Sequence, residues 1–297
     1  MRLVVSETNR GFSGGVNLGV LNARAARIAL LNNDGRPEPI WLEELVALAD
    51  RNARGDLVSS VIKNVGARDL EDKCGWTLNV LGRSHRHPLT PPEFQFFGAG
   101  AGMLFSKDEY NPPFPEFFFL YNEDAYLGWR ARLLGHQVRV AMRSRVFHEG
   151  SATIKKMKMQ SIGAFNGEKN RMTNNLVFWE RRTLLKLFPL LVLDFFFHLR
   201  RYPLPLVKAL AWVFSNRRMI GSIRREIQST RKIPDSEILK FVSSQVSHGR
   251  GWGVAVANGF SASYCGAFAI ATLESSRPFD TASRAEAAGP IANTPPA

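Results

Sequence analysis

Residues 116–148 read EFFFLYNEDAYLGWRARLLGHQVRVAMRSRVFH, and they switch from one periodicity to another at a single glycine. An aromatic run, Phe117–Phe119, leads into adjacent carboxylates, Glu123 and Asp124, with Asn122 placed as a helix N-cap. Leu127, Ala131 and Leu134 recur at helical spacing, and Gly135 is a natural stop. Val138, Val140 and Met142 then alternate with polar Gln137, Arg139 and Arg143, the pattern of a half-buried strand running toward His148. The stretch therefore predicts two acids in the first turn of a helix and an imidazole at the end of the next strand. Carboxylates in a first turn are favoured in the ionised form by the helix dipole. An ionised Asp can take a proton from a hydroxyl. Acids are common at helix starts in any case, so the pair alone does not name a site.

Upstream, Gly98-Ala99-Gly100-Ala101-Gly102 precedes Met103-Leu104-Phe105, and its small residues let a ligand or another backbone approach closely. Earlier still, Arg27–Leu31 is a short apolar run that fits a buried parallel strand. It ends in Asn32-Asn33-Asp34-Gly35, where Asp34 could offer a hard oxygen to a divalent cation, although the same tetrapeptide suits a plain turn. Ligands of open α/β sheets bind beyond the carboxyl ends of strands, which is where Asp34 would stand. Trp41–Asn52 carries a helical apolar face, and Leu57–Ile62 reads as another strand. Leu3–Val5 is a short strand signal, Thr8–Gly15 a glycine-rich loop, and Val16–Ala26 a helix with Asn17 near its start. A glycine-rich turn before a helix can approach a phosphate, and it can equally be a turn only.

Downstream, Lys155–Arg182 is basic and helical in pattern. Residues 183–199 are strongly apolar, but Lys186 and Asp194 interrupt them and Pro189 is expected to break the helix. No uninterrupted apolar run reaches the roughly 18 residues of a spanning helix. Arg182, Lys186, Asp194, His198 and Arg201 fall near one helical stripe, which fits in-plane contact with a membrane surface as well as packing on a core. Residues 248–297 are rich in Gly, Ala, Ser and Pro and read as a low-complexity, disordered tail. The domain plan is thus 1–165, 166–247 and 248–297.

Composition limits the function classes. The 297 residues are 45% hydrophobic, ample for a core, and carry a net charge of +13. Such a charge points to an anionic partner: nucleic acid, an acidic membrane surface or a phosphorylated substrate. No nucleic-acid-binding motif is present, and the basic residues gather around the apolar region, which argues against nucleic acid. Two distant cysteines, Cys74 and Cys265, exclude a disulfide framework.

Five stretches in order resemble glycosyltransferase family 2, in its rhamnosyltransferase-like bacterial branch: Asn9–Gly19 (NRGFSGGVNLG), Ala29–Val46 (ALLNNDGRPEPIWLEELV), Gly98–Phe105 (GAGAGMLF), Phe114–Val140 and Val146–Ser151 (VFHEGS). The resemblance covers roughly residues 3–200. It implies an α/β, GT-A-like mixed sheet flanked by helices, with a helical C-terminal extension. The family's opening strand–helix unit, roughly 35–50 residues, is expected to be absent here. By resemblance, Asp124 is the catalytic base with Glu123 beside it. Asn32 and Asp34 fall on the ends of the D-x-D motif, and Asp34 with His148 would hold Mn²⁺ or Mg²⁺. Gly14, Gly15 and Asn17 would lie near the donor nucleotide, and Gly98, Gly100 and Trp129 would border the sugar or acceptor. The family's E-D-x-D has Tyr126 at its last acid, so that supporting carboxylate is replaced. The implied activity is inverting transfer of a sugar from a nucleotide-diphosphate donor, dTDP-rhamnose or a UDP-sugar, to a lipid-linked or polysaccharide acceptor at the inner face of the cell membrane. The contrasting expectation is an inactive remnant that binds without catalysis.

Overall fold

Short apolar strands alternate with helices through the first half of the chain, and helices dominate the described residues of the second. The computed structural model describes residues 2–64, 72–73, 76–86, 91, 95–148, 160–200, 203–246 and 252–276. In chain order the first half contains α1 (Gly11–Asn22), β1 (Arg27–Leu31), β2 (Gly35–Pro37), α2 (Trp41–Asp50), β3 (Leu57–Asn64), β4 (Asp72–Lys73), β5 (Trp76–Leu78), β6 (Ser84–Arg86), β7 (Gly102–Ser106), α3 (Glu123–Leu133) and β8 (Val138–His148). Six strands form one mixed sheet in the order β1-β7-β3-β8-β2, with β4 added to β3; β5 and β6 pair separately. Strands β3 and β8 run parallel, and the other pairings are antiparallel.

Successive residues of a strand face opposite ways, so each strand feeds two cores. Leu57, Met103, Phe105 and Val138 pack with α1 and α3 through Val20, Leu127 and Ala131. Val58, Ile62, Leu104 and Val146 pack on the other face with Trp41 and Leu45 of α2. Trp41 Nε1 donates to Ser60 Oγ at 2.8 Å, which satisfies the buried hydroxyl of a central strand. Helices therefore flank a mixed sheet on both faces, the α/β architecture that the sequence implies.

The second half contains α4 (Gln160–Phe178), α5 (Arg181–Leu199), α6 (Pro203–Ser215), α7 (Arg217–Ser229), α8 (Asp235–Ile238), α9 (Trp252–Ala267) and α10 (Leu273–Ser276). Its apolar residues share one core with Ala125, Tyr126, Trp129 and Leu133, the side of α3 turned away from the sheet. Helix α3 is thus buried on two sides, which explains why its apolar residues form no single stripe.

Several expectations change. Leu3 and Val5 are 80% and 76% exposed and form no strand. Strand β1 is antiparallel to β7 and half-exposed at the end of the sheet order, where only one neighbour covers it. The expected boundary at 165/166 falls inside α4. Pro189 does not break α5: the helix runs through it, with Leu187 and Leu190 buried on its inner side and Pro189 itself facing outward. The stripe through Asp194 and His198 turns inward rather than outward, because Asp194 pairs with Arg83 and Arg171. Helices α9 and α10 occupy part of the stretch read as a disordered tail, where Cys265 and Ile270 pack into the shared core and Leu273 is buried; residues 277–297 lie outside the described residues.

Candidate active site

The acids come first, because the backbone leading to them is unusual. Phe119, Tyr121 and Asn122 all have positive φ, at 63°, 68° and 62°. Three such non-glycine residues in four positions are strained, so the surroundings must hold them. Helix α4 supplies the hold. Asn170, fully buried, donates from Nδ2 to the carbonyls of Phe118, Leu120 and Tyr121 at 2.9, 3.0 and 2.7 Å. Asn174 Nδ2 donates to Asn122 O at 3.1 Å, and Lys169 Nζ to Phe117 O at 2.5 Å. Asn122 does precede α3, but it caps nothing with its side chain; its Nδ2 donates to Gly167 O at 2.8 Å.

This turn delivers Glu123 and Asp124 to the first turn of α3. Glu123 is buried, and among the described residues its Oε2 has no hydrogen-bond partner. Asp124 keeps partial exposure, and its Oδ1 accepts the N–H of Ala125 at 2.8 Å. No basic side chain pairs with either acid among the described residues. Burial raises both pKa values above the ordinary carboxylate range; for Glu123 the neighbouring Asp124 charge adds to the rise. Two adjacent carboxyls in such a place cannot both ionise easily. Burial and the Asp124 charge push the more buried Glu123 toward its protonated form, and Asp124 is the more accessible of the two.

The second group lies at the sheet edge. Pairing of β2 with β8 sets Gly35 opposite His148 and so draws Asn32 and Asp34 to the imidazole. His148 Nε2 stands 3.0 Å from Asp34 Oδ1 and 3.1 Å from Asn32 Nδ2. One ring nitrogen cannot donate to the acid and accept from the amide at once. Turning the amide would aim its oxygen at the same point, giving carboxylate oxygen, amide oxygen and imidazole nitrogen around one position. That donor set fits a divalent ion with further ligands from a phosphate. Among the described residues no three His, Cys, Asp or Glu side chains form a complete cage. The Asn32–Gly35 stretch is also the tight turn that its sequence allows, closed by Gly35 N–H to Asn32 O at 2.9 Å.

A line of contacts joins the two groups. Asn32 N–H donates to Ala101 O at 3.2 Å. A Cβ on neighbouring Gly100 would lie 3.2 Å from Phe12 Cζ, so glycine there lets α1 close on the loop. Phe12 N–H and Ser13 N–H donate to Phe119 O at 2.7 and 3.3 Å. Gly98 packs on Met103 and Ser59 below the loop.

Other expected site residues are placed differently. Helix α1 begins at Gly11, so Gly14 and Gly15 lie within it and not in a loop before it. Gly11 has φ of 65°, and a Cβ there would collide with Phe119. The N–H groups that start α1 are taken up by Asn9 Oδ1 (Gly11) and Phe119 O (Phe12 and Ser13) instead of standing open to a phosphate. Asn17 spends its amide on the backbone of Phe114, donating to the carbonyl at 2.7 Å and accepting the N–H at 3.3 Å. Trp129 borders no ligand space: it is fully buried, stacked on Phe178 at 5.2 Å and edge-on to Phe96 and Trp179. The residues that sequence reasoning missed are Lys169, Asn170 and Asn174. The only signal was their polarity on a helix that otherwise packs inward.

Residues 1–110 match the family model described as Glycosyl transferase family 2, a little over a third of the chain. No curated protein matches it. The match supports glycosyltransferase family 2 and glycosyltransferase activity in general, and it takes in Asn32, Asp34 and the Gly98–Gly102 loop.

Proposed function

We propose that the chain is an inverting, metal-dependent glycosyltransferase. It takes a sugar from a nucleotide-diphosphate donor, dTDP-rhamnose or a UDP-sugar, and passes it to a lipid-linked or polysaccharide acceptor of the cell envelope. The observation that carries this reading is the pair of buried, unpaired carboxyls held on a strained turn, one of them reachable. An Asp with a raised pKa is a better proton acceptor than an ordinary surface carboxylate. In the reaction the acceptor oxygen bonds to the anomeric carbon, the bond from that carbon to the diphosphate breaks, and the hydroxyl proton goes to Asp124. Glu123, kept neutral, adds no repelling charge to the incoming anionic donor. One displacement inverts the configuration, and no covalent sugar–enzyme species is needed.

Asp34, Asn32 and His148 would hold Mn²⁺ or Mg²⁺. Such an ion, when bound, neutralises charge on the leaving diphosphate. The protein's own part is to fix three donors at one point and to keep Gly98–Gly102 small beside them. Calorimetric titration with nucleotide diphosphates, with and without Mn²⁺, tests this. Metal-dependent binding that is lost in D34N and H148A is expected. Equal affinity in chelator would remove both residues from a metal role.

The same reading places the chain against the inner face of the cell membrane. Among the described residues no helix is long and apolar enough to cross a membrane. Yet Leu185, Phe188, Phe196 and Phe197 of α5 and Leu204, Leu210 and Phe214 of α6 are exposed. Neighbouring apolar side chains left open on two consecutive helices, with Lys208, Arg217 and Arg218 nearby, support in-plane contact with an anionic bilayer.

A further inference from the structure

Helix α7 crosses the end of α4 and leaves a groove at the corner between α4 and α5. The groove has a volume of about 420 Å³ and is lined by Glu180, Arg181, Gly221, Arg224, Arg225 and Gln228. Two of its walls are fixed from behind. Arg224 Nη1 donates to the carbonyls of Leu176 and Trp179, and Gln228 Nε2 donates to those of Val177 and Phe178 at 2.8 Å each. These carbonyls belong to the end of α4, where intrahelical partners run out. With Nη1 spent, Arg224 retains three N–H donors on Nε and Nη2. Arg181 and Arg225 are exposed. Among the described residues no carboxylate pairs with any of the three arginines. Burial and the nearby charges of Arg181 and Arg231 lower the Arg224 pKa.

Three arginines against the single carboxylate of Glu180 leave the groove with a net positive charge that draws an anion. Guanidinium is the group that matches phosphate oxygens with paired N–H donors. The location adds a second constraint. Arg181 is one helical turn before Leu185, the first exposed apolar residue of α5. At the start of α7, the Arg217 guanidinium lies 4.8 Å from the centre of the exposed Phe214 ring. The groove therefore opens where the basic surface meets the apolar face.

We propose that Arg181, Arg224 and Arg225 form a phosphate-binding groove, filled either by the headgroup of an anionic phospholipid or by a soluble diphosphate. The lipid source rests on the peripheral-membrane reading; the groove itself does not.

The test uses the full chain and two probes. The first is phosphatidylcholine vesicles with and without phosphatidylglycerol. The second is inorganic pyrophosphate in chelator, which keeps a metal–diphosphate site from contributing. R181Q/R225Q removes two exposed groove charges; R24Q/R51Q removes the same charge from exposed positions outside both the groove and the apolar face. The expected result is that phosphatidylglycerol-dependent binding weakens about tenfold or more in the groove variant and less than about threefold in the control. Pyrophosphate binding that is lost only in the groove variant, with no vesicle binding by the wild type, would keep the groove, assign it to a soluble ligand and sink the membrane reading. Equal losses in both variants would mean diffuse attraction and overturn the groove. So would vesicle binding indifferent to phosphatidylglycerol and to R181Q/R225Q, which would leave the membrane reading standing alone. Binding of neither probe overturns both.

Discussion

The chain holds two pairs of carboxylates, each with one buried and one half-buried member, and they are treated in opposite ways. Glu123 and Asp124 sit on a strained turn with no basic partner among the described residues, and burial pushes their pKa values up. Asp194 and Glu168 join α5, α4 and the loop before β6. Arg83 grips Asp194 with two bonds, at 3.0 and 2.9 Å, and reaches Glu168 at 2.8 Å. Arg171 bonds Glu168 at 2.7 Å, and His198 stands 3.1 Å from Asp194. Burial alone would raise the Asp194 pKa, but the His198 contact and the Arg171 and Arg83 charges carry it well below the usual carboxylate range. Glu168 is lowered by the same two arginines against its own burial. A compensated acid holds layers together; an uncompensated one weakens the fold and is kept where chemistry needs it.

The sharpest way to break this contrast is D124N. It should lower transfer by about 10²- to 10⁴-fold while leaving donor binding and melting temperature in place. Full turnover in D124N would remove Asp124 from the role of base. Next is D194A, which leaves Glu168 to balance both Arg83 and Arg171 and should cost about 3 kcal/mol of stability. A denaturation midpoint unchanged from wild type would show that the cluster is not structural.

N170A probes the link between strain and chemistry. Three carbonyls lose one donor, so a stability loss of about 1–3 kcal/mol is expected. The diagnostic readout is a fall in kcat of about tenfold with the donor KM unchanged, as expected when a group is mispositioned and not removed. A change in KM alone would assign Asn170 to the fold only.

The smallest effect is in pH dependence, and its sign differs between the pairs. Glu123 and Asp124 have raised pKa values, so their protonated forms favour the folded chain. That stability is present at acid pH and lost as pH rises through the raised values. Asp194 and Glu168 have lowered values, so their contribution is present above the ordinary carboxylate range and lost as pH falls toward the depressed values. Denaturation measured across this range should show E123Q with a flatter decline toward neutral pH. An unchanged slope would mean that Glu123 titrates normally in the fold.

Much of this was legible locally. The helix stop at Gly135, with φ of 85°, the strand through Val138 and the two acids at the start of α3 follow from spacing over a few residues. So did the position of Asp34 at the end of β1, because a short apolar run ending in Asn-Asp-Gly marks its own turn. Where sequence misled, the missing information was nonlocal. Trp129 reads as a candidate contact for a ligand until Phe178 and Trp179, some fifty positions away, are seen to enclose it. Pro189 reads as a breaker until the buried Leu187 and Leu190 are seen to carry the helix on past it.

The sequence by itself determined the alternation of strands and helices, the acids, the turn that carries Asp34 and the basic, apolar character of the second half. Those depend on side chains a few residues apart, whose periodicity the backbone geometry imposes. Only the tertiary structure decided that Asn32 and Asp34 meet one nitrogen of His148, 116 positions from Asn32, and that Asn170 holds the turn some fifty residues before it. It also decided which face of α5 hides Asp194 and which leaves Phe188, Phe196 and Phe197 open. Such outcomes turn on which distant groups a fold brings within bonding distance, and local pattern does not encode that distance.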